Sequence, residues 1–334
     1  GAMALLKKLR GSKKPSANSG AKQMKILRRL PKILKLIPGK AQDLRAWFLS
    51  MQYWLGGSDD NVEQMVRFLI SRYASRPDWQ GVTSNEPIEY PDVGLYHPEL
   101  PGHHITTDLA DLPKSKGDGP TVGLLMLRSY ILASDTAHYD AVIKSMTDRG
   151  LNVIPAFAGG LDGRPAIEAY FKGVDALVSL TGFSLVGGPA YNDSEAASLT
   201  LGELDVPYIA AQPLEFQTLE KWSTGTAGLG PVETTMLVAL PEIDGATNPT
   251  VFAGRHAAGG CSGCARKCAC GSDVSAMAPC YERIEALAEK AERLAVLRRK
   301  ENTEKNVGIV LFGFPPNAGA AGTAAYLSVF ESLH

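Results

Sequence analysis

Hydrophobic residues follow two different periods along this chain. Val122–Leu127 is an unbroken apolar run, the pattern of a parallel strand buried on both faces. Leu151–Ala156, Val174–Leu180 and Val206–Ala210 read as further strands. The segments between them carry apolar residues at intervals of three and four, predicting helices over Asp135–Arg149, Arg164–Lys172 and Asp193–Glu203. Strands alternating with helices predict an α/β fold, a doubly wound parallel sheet spanning 121–255.

Upstream, Leu44, Trp47, Phe48, Met51, Trp54 and Leu55 form one helical stripe. Val62, Met65, Val66, Leu69 and Ile70 form a second, with Gly56-Gly57 as the turn and Ser58 or Asp59 as the cap. These stripes belong to a helical segment over 24–74, and we expect them to be core rather than a grip on a planar ligand. Residues 1–23 lack periodicity and read as a disordered basic lead, and 75–120 as a Pro- and Gly-rich linker. Within that linker His97, His103 and His104 suggest either a metal or proton-transfer site or ordinary hydrogen-bonded loop histidines. Glu282–Arg299 is an amphipathic helix within a connecting segment, 282–306. Val307-Gly-Ile-Val then echoes Val122-Gly-Leu-Leu, and Thr323-Ala-Ala-Tyr326 echoes Thr136-Ala-His-Tyr139. A second α/β unit therefore begins at 307 and is cut off at 334, so the chain reads as a fragment.

Charge changes the picture at the amino end. The net charge of -1 over 334 residues hides thirteen Lys/Arg against one acid, Asp43, in residues 1–50, leaving the remainder about -13. Met24, Leu27, Leu30, Ile33, Leu34 and Ile37 interleave with those bases. This basic arm suits anionic lipid headgroups or an acidic partner, or else packs its apolar stripe on the acidic body. Nucleic acid is not expected, because no aromatic residues interleave with the bases and the rest of the chain is acidic. No run approaches the roughly 20 apolar residues that span a bilayer and no signal peptide opens the chain, which predicts a cytoplasmic location.

Ligand sites in open α/β sheets lie outside the carboxyl ends of the strands. The loops there are 128–134, 157–162, 181–192 and 212–215. Thr181-Gly-Phe-Ser-Leu-Val-Gly-Gly-Pro189 stands out: its glycines admit close backbone approach, and Thr181 and Ser184 offer hydroxyls beside Gly187 and Gly188. A plain tight turn is the alternative. Neither a G-x-G-x-x-G fingerprint after the first strand nor a Walker A sequence is present, which disfavours a dehydrogenase or an NTPase.

All five cysteines fall between 261 and 280, in a Gly/Ala/Ser-rich stretch, 256–281, with too little apolar volume for a core. The C-x2-C-x3-C-x-C-x9-C spacing points first to a [4Fe–4S] cluster on Cys261, Cys264, Cys268 and Cys280, with Cys270 spare. Zinc, disulfides and free thiols stay open, because spacing under-determines the metal.

Several stretches resemble the large (H) subunit of the magnesium chelatase and cobaltochelatase family, close to the bacteriochlorophyll-forming magnesium type. They are 37–45 (Ile-Pro-Gly-Lys-Ala-Gln-Asp-Leu-Arg), 52–55 (Gln-Tyr-Trp-Leu), 94–98 (Gly-Leu-Tyr-His-Pro), 179–191, Phe314-Pro-Pro-Asn317 and 322–327. The resemblance implies a porphyrin-binding subunit that inserts Mg²⁺ into protoporphyrin IX, with ATP hydrolysed by AAA+ motor partner subunits. It supports the cluster and implies substrate contacts at Thr181, Ser184, Gly187, Gly188, Asn317 and Thr323. It makes His138 the candidate base for the pyrrole N–H protons, against a capping or core role, and expects the principal catalytic residues beyond this fragment. A cobalt-inserting subunit of cobalamin synthesis and an iron–sulfur redox sensor or scaffold are the competing readings.

Overall fold

The computed structural model describes residues 41–113, 117–188, 191–256 and 276–310, together with 31, 34, 35, 37–39, 331, 332 and 334. Within 1–296 the helical pair forms as its punctuation predicts. Helix α1 (Ala41–Gly56) and α2 (Asp59–Tyr73) are separated by Gly57, and the Ser58 hydroxyl caps α2 by accepting from the Asn61 N–H. The expectation that their stripes form core is corrected by exposure. Trp54 is 62% exposed and Val66 47%, whereas the polar Asn61 is fully buried. Asn61 holds that position by exchanging two hydrogen bonds with the Ile88 backbone, at 2.8 and 3.0 Å. Of the stripes, Phe48 is buried.

The main sheet has a parallel centre made of β3 (Thr121–Leu127), β4 (Asn152–Ala158), β5 (Ala176–Ser179), β8 (Tyr208–Thr218) and β9 (Thr247–Arg255). Antiparallel strands finish both edges: β1 (Val93–Tyr96) on β4 with β2 (Ile105–Thr106) outside it, and β10 (Ala278–Pro279) on β9. The eight strands lie in the order β10-β9-β8-β5-β3-β4-β1-β2. The stretch expected to be a linker thus contributes two strands. A separate two-stranded ribbon pairs β6 (Gly187–Gly188) with β7 (Tyr191–Asn192).

Helices cover both faces. Val122, Leu124 and Met126 of β3 pack with α4 (Ala137–Asp148) and with α9 (Tyr281–Arg299). Leu125 packs on the opposite face with Ile167 of α5 (Arg164–Tyr170) and Ala197 of α6 (Ser194–Leu204). Gly123 is small for a reason: a Cβ there would lie 2.9–3.1 Å from the Phe171 ring. Short α3 (Arg128–Leu132) follows β3, and α7 (Leu219–Thr224) follows β8. Then α8 runs Pro231–Glu233, loosens into a π-helix over Thr234–Ala239 and returns to α-helix over Leu240–Ile243.

Residues 297–334 form a second unit. Its described part holds the last turn of α9 and a 3₁₀ turn at Asn302–Glu304. The strand expected from Val307 does not form over 307–310, where Val307 is 82% and Val310 94% exposed.

Candidate functional site: a cleft at the switch point of the sheet

The chain runs from β3 to β4 on one side of it and then crosses back to β5 on the other. Where consecutive connections diverge in this way, the carboxyl ends of the two flanking strands leave a crevice. Here a shallow open cleft lies at that point, lined by Leu125 and Leu127 at the end of β3, Asp162 and Gly163 after β4, and Thr181, Ser184 and Gly187 after β5. Three of the expected substrate contacts therefore share one cleft. Gly188 lies in the β6–β7 ribbon, where a Cβ would collide with Leu161 at 2.2 Å.

The two loops forming the walls are laced together. The Gly163 N–H donates to the Leu185 carbonyl at 2.9 Å, and the Gly187 N–H to the Leu161 carbonyl at 2.7 Å. Asp162 takes both arms of Arg164, at 2.9 and 2.6 Å. Ser179 and Thr181 share a hydroxyl hydrogen bond of 3.0 Å. The Ser184 hydroxyl donates to Asp244 at 2.6 Å, which commits its proton and leaves the oxygen as an acceptor. The cleft thus offers acceptor oxygens among apolar side chains, an environment suited to an apolar ligand edge bearing N–H or other donor groups. Asp244 is the residue that sequence reasoning missed.

His138 lies elsewhere, fully buried on α4, with its ring 3.9 Å from Tyr139, 5.2 Å from Tyr130 and 6.0 Å from Phe252. Neither ring nitrogen has a hydrogen-bond partner among the described residues. Burial, aided by the positive charge of Arg255, pushes its pKa down to about 3. At neutral pH it is an uncharged and weak base.

The three linker histidines do not converge on one site. His103 Nε2 lies 3.1 Å from the Tyr90 hydroxyl and 3.3 Å from Asp60. His104 Nδ1 is 2.6 Å from the Leu100 carbonyl, and His97 Nδ1 accepts from the Glu99 N–H at 3.2 Å. Among the described residues no three His, Cys, Asp or Glu side chains are placed to hold a metal ion.

Cys261, Cys264 and Cys268, with Asn317 and Thr323, lie outside the described residues. Cys280 is described: it is 6% exposed and packs in an apolar cluster with Leu214, Leu219, Leu237 and Val251. Its N–H donates to the Phe252 carbonyl at 2.9 Å, continuing the β9–β10 pairing.

Comparison with known proteins adds the following. A family described as CobN/Magnesium Chelatase matches residues 51–334, and a domain of unknown function (DUF3479) matches 1–48. The magnesium-chelatase H subunit of Cereibacter sphaeroides is 68% identical over 341 residues, covering 100% of this chain and 28% of that protein. The aerobic cobaltochelatase subunit CobN of Pseudomonas aeruginosa is 31% identical, over 84% of this chain and 22% of its own length. The solved catalytic subunit of cobaltochelatase from Mycobacterium tuberculosis shares the fold, with a TM-score of 0.54 at 22% identity over 76% of this chain and 20% of that one. The chain therefore spans between a fifth and just over a quarter of the length of these relatives, and on the match over 51–334 it belongs to the CobN/magnesium chelatase family.

Proposed function

We propose that this chain is a segment of the porphyrin-binding large subunit of a magnesium chelatase, which inserts Mg²⁺ into protoporphyrin IX in bacteriochlorophyll synthesis. The observation that carries the reading is identity across the whole chain: 68% to a magnesium-chelatase H subunit, against 31% to a cobaltochelatase subunit. In this reading ATP is hydrolysed by separate AAA+ motor subunits, in keeping with a sequence that holds no Walker A loop.

The cleft is too small to enclose a whole tetrapyrrole, so it receives one edge of the macrocycle. Leu125, Leu127, Phe183 and Leu185 meet the apolar rim, and the oxygens of Thr181 and Ser184 orient it. Asn317 and Thr323 are the further substrate contacts of this reading. His138, uncharged and enclosed, packs α4, and the base for the pyrrole N–H protons lies outside the described residues. The cysteine stretch binds a [4Fe–4S] cluster through Cys261, Cys264, Cys268 and Cys280, with Cys270 spare. The basic arm gives the protein a weak hold on anionic membrane.

Titrating the chain into protoporphyrin and following fluorescence quenching tests the cleft. Saturable quenching is expected, and its absence would remove the porphyrin assignment from this segment. For the complete large subunit, Mg²⁺ insertion should require both ATP and the motor partners. ATP hydrolysis by that subunit alone, or insertion of Co²⁺ in preference to Mg²⁺, would overturn the reading.

A further inference from the structure

The cleft wall after β5 is held by one side chain from sixty residues further along the chain. The Ser184 hydroxyl and the Leu185 N–H both donate to the same oxygen of Asp244, at 2.6 and 2.8 Å. Asp244 caps the carboxyl end of α8 and is 2% exposed. Its second oxygen, Oδ1, is buried with no hydrogen-bond partner among the described residues. Burial holds its carboxyl above the usual carboxylate range, and the groups that draw it back are those two donors, with no cation among them.

A carboxylate without a cation in a dry environment is a costly group. An apolar or amide side chain could end α8 without that cost. Both of the side chain's hydrogen bonds run to the cleft loop, so what the cost maintains is the position of Ser184 and Leu185. The same contact fixes the Ser184 proton and with it the acceptor character of the cleft.

We propose that Asp244 is a positioning residue for the ligand-contacting wall, retained for the geometry of Ser184 and Leu185 at the expense of fold stability. Its consequence for ligand affinity rests on the reading of the cleft as a tetrapyrrole contact; the positioning itself does not.

Two variants of the full chain, Asp244→Asn and Ser184→Ala, are compared with the parent by amide hydrogen exchange, thermal melting and protoporphyrin quenching. Replacing a charged acceptor by a neutral one should speed exchange over 181–188 about tenfold and weaken protoporphyrin binding by a similar factor. The melting temperature of Asp244→Asn should hold or rise, which a stabilising residue would not permit. Ser184→Ala keeps the carboxylate and the Leu185 bond, so it should speed exchange in the same segment by about threefold.

Unchanged exchange over 181–188 in either variant would overturn the proposal. So would a fall in melting temperature with faster exchange across the whole sheet. If Asp244→Asn does not fold, Ser184→Ala decides the positioning by the exchange of the same segment. A parent chain that quenches no protoporphyrin, while its loop still responds to these substitutions, would overturn the tetrapyrrole reading and support the positioning.

Discussion

Replacing His138 with leucine should flatten the acid side of the stability profile by an amount the structure sets. The imidazole is fully buried against Tyr139, and its pKa falls from 6.5 to about 3, first because burial disfavours the cation and then because Arg255 repels it. In the unfolded chain the same group takes up a proton near pH 6.5. The folded-state pKa is the lower one, so the contribution to stability is present above pH 6.5 and is lost as the pH falls from 6.5 towards 3. At pH 5 the unfolded state is favoured by about 2 kcal/mol through this group alone, at roughly 1.4 kcal/mol per pH unit.

Urea unfolding of parent and variant at pH 7.5 and pH 5 isolates that amount, because the other titrating groups are common to both. The parent should lose about 2 kcal/mol more than His138→Leu between the two conditions. At pH 7.5 the two should agree to within about 1 kcal/mol, since leucine is near in volume and no hydrogen bond among the described residues is lost. Parallel pH dependences would refute the buried, neutral state. The same substitution in the complete large subunit should leave Mg²⁺ insertion intact; a folded variant that no longer inserts the metal would restore His138 as the base.

Three further outcomes are expected. Gly187→Ala should destabilise the chain by about 2–4 kcal/mol and weaken protoporphyrin quenching, because φ is +112° and a Cβ would lie 2.1 Å from the Tyr191 carbonyl; a melting temperature within about 1 °C of the parent would refute this. Protein purified without oxygen should be brown with about four irons per chain. Cys264→Ala should abolish the colour while Cys270→Ala keeps it, and colourless, iron-free protein would count against the cluster. Binding to anionic vesicles should weaken steeply as salt shortens the screening length from about 10 Å at 0.1 M to about 3 Å at 1 M, and salt-independent behaviour would favour an arm packed on the acidic body.

The central strands were legible because a strand buried on both faces has to be apolar at every position, as Val122–Leu127 is. The edges were not. β1 is four residues long between Pro91 and Pro98, and β9 contains Pro249 and Gly254, which read locally as breaks. Both are secured by pairing with β4 and β8, a term that no local pattern reports. At the cleft, the rule for carboxyl ends together with a glycine-rich loop pointed to the crevice that Thr181, Ser184 and Gly187 line, which leaves their contact with a substrate a proposal. Asp244 was invisible because its sequence setting, Glu242-Ile-Asp-Gly245, is that of any helix end. Its meaning lies in a contact sixty residues away.

Periodicity also states that a helix has an apolar face without stating what covers it. On α2 that face carries Val62, Val66 and Leu69 at 40, 47 and 38% exposure, while the position buried most completely is Asn61. The two related motifs make the same point for strands. Val122-Gly-Leu-Leu and Val307-Gly-Ile-Val have one pattern, yet Val122 is 0% and Val307 82% exposed. The first is flanked by β4 and β5, and each neighbour satisfies a row of backbone groups while helices close the faces. Over 307–310 no strand is paired. Burial is thus conferred on an apolar run by its neighbours rather than carried by the run itself, so a sequence reading predicts the demand for a sheet better than its presence.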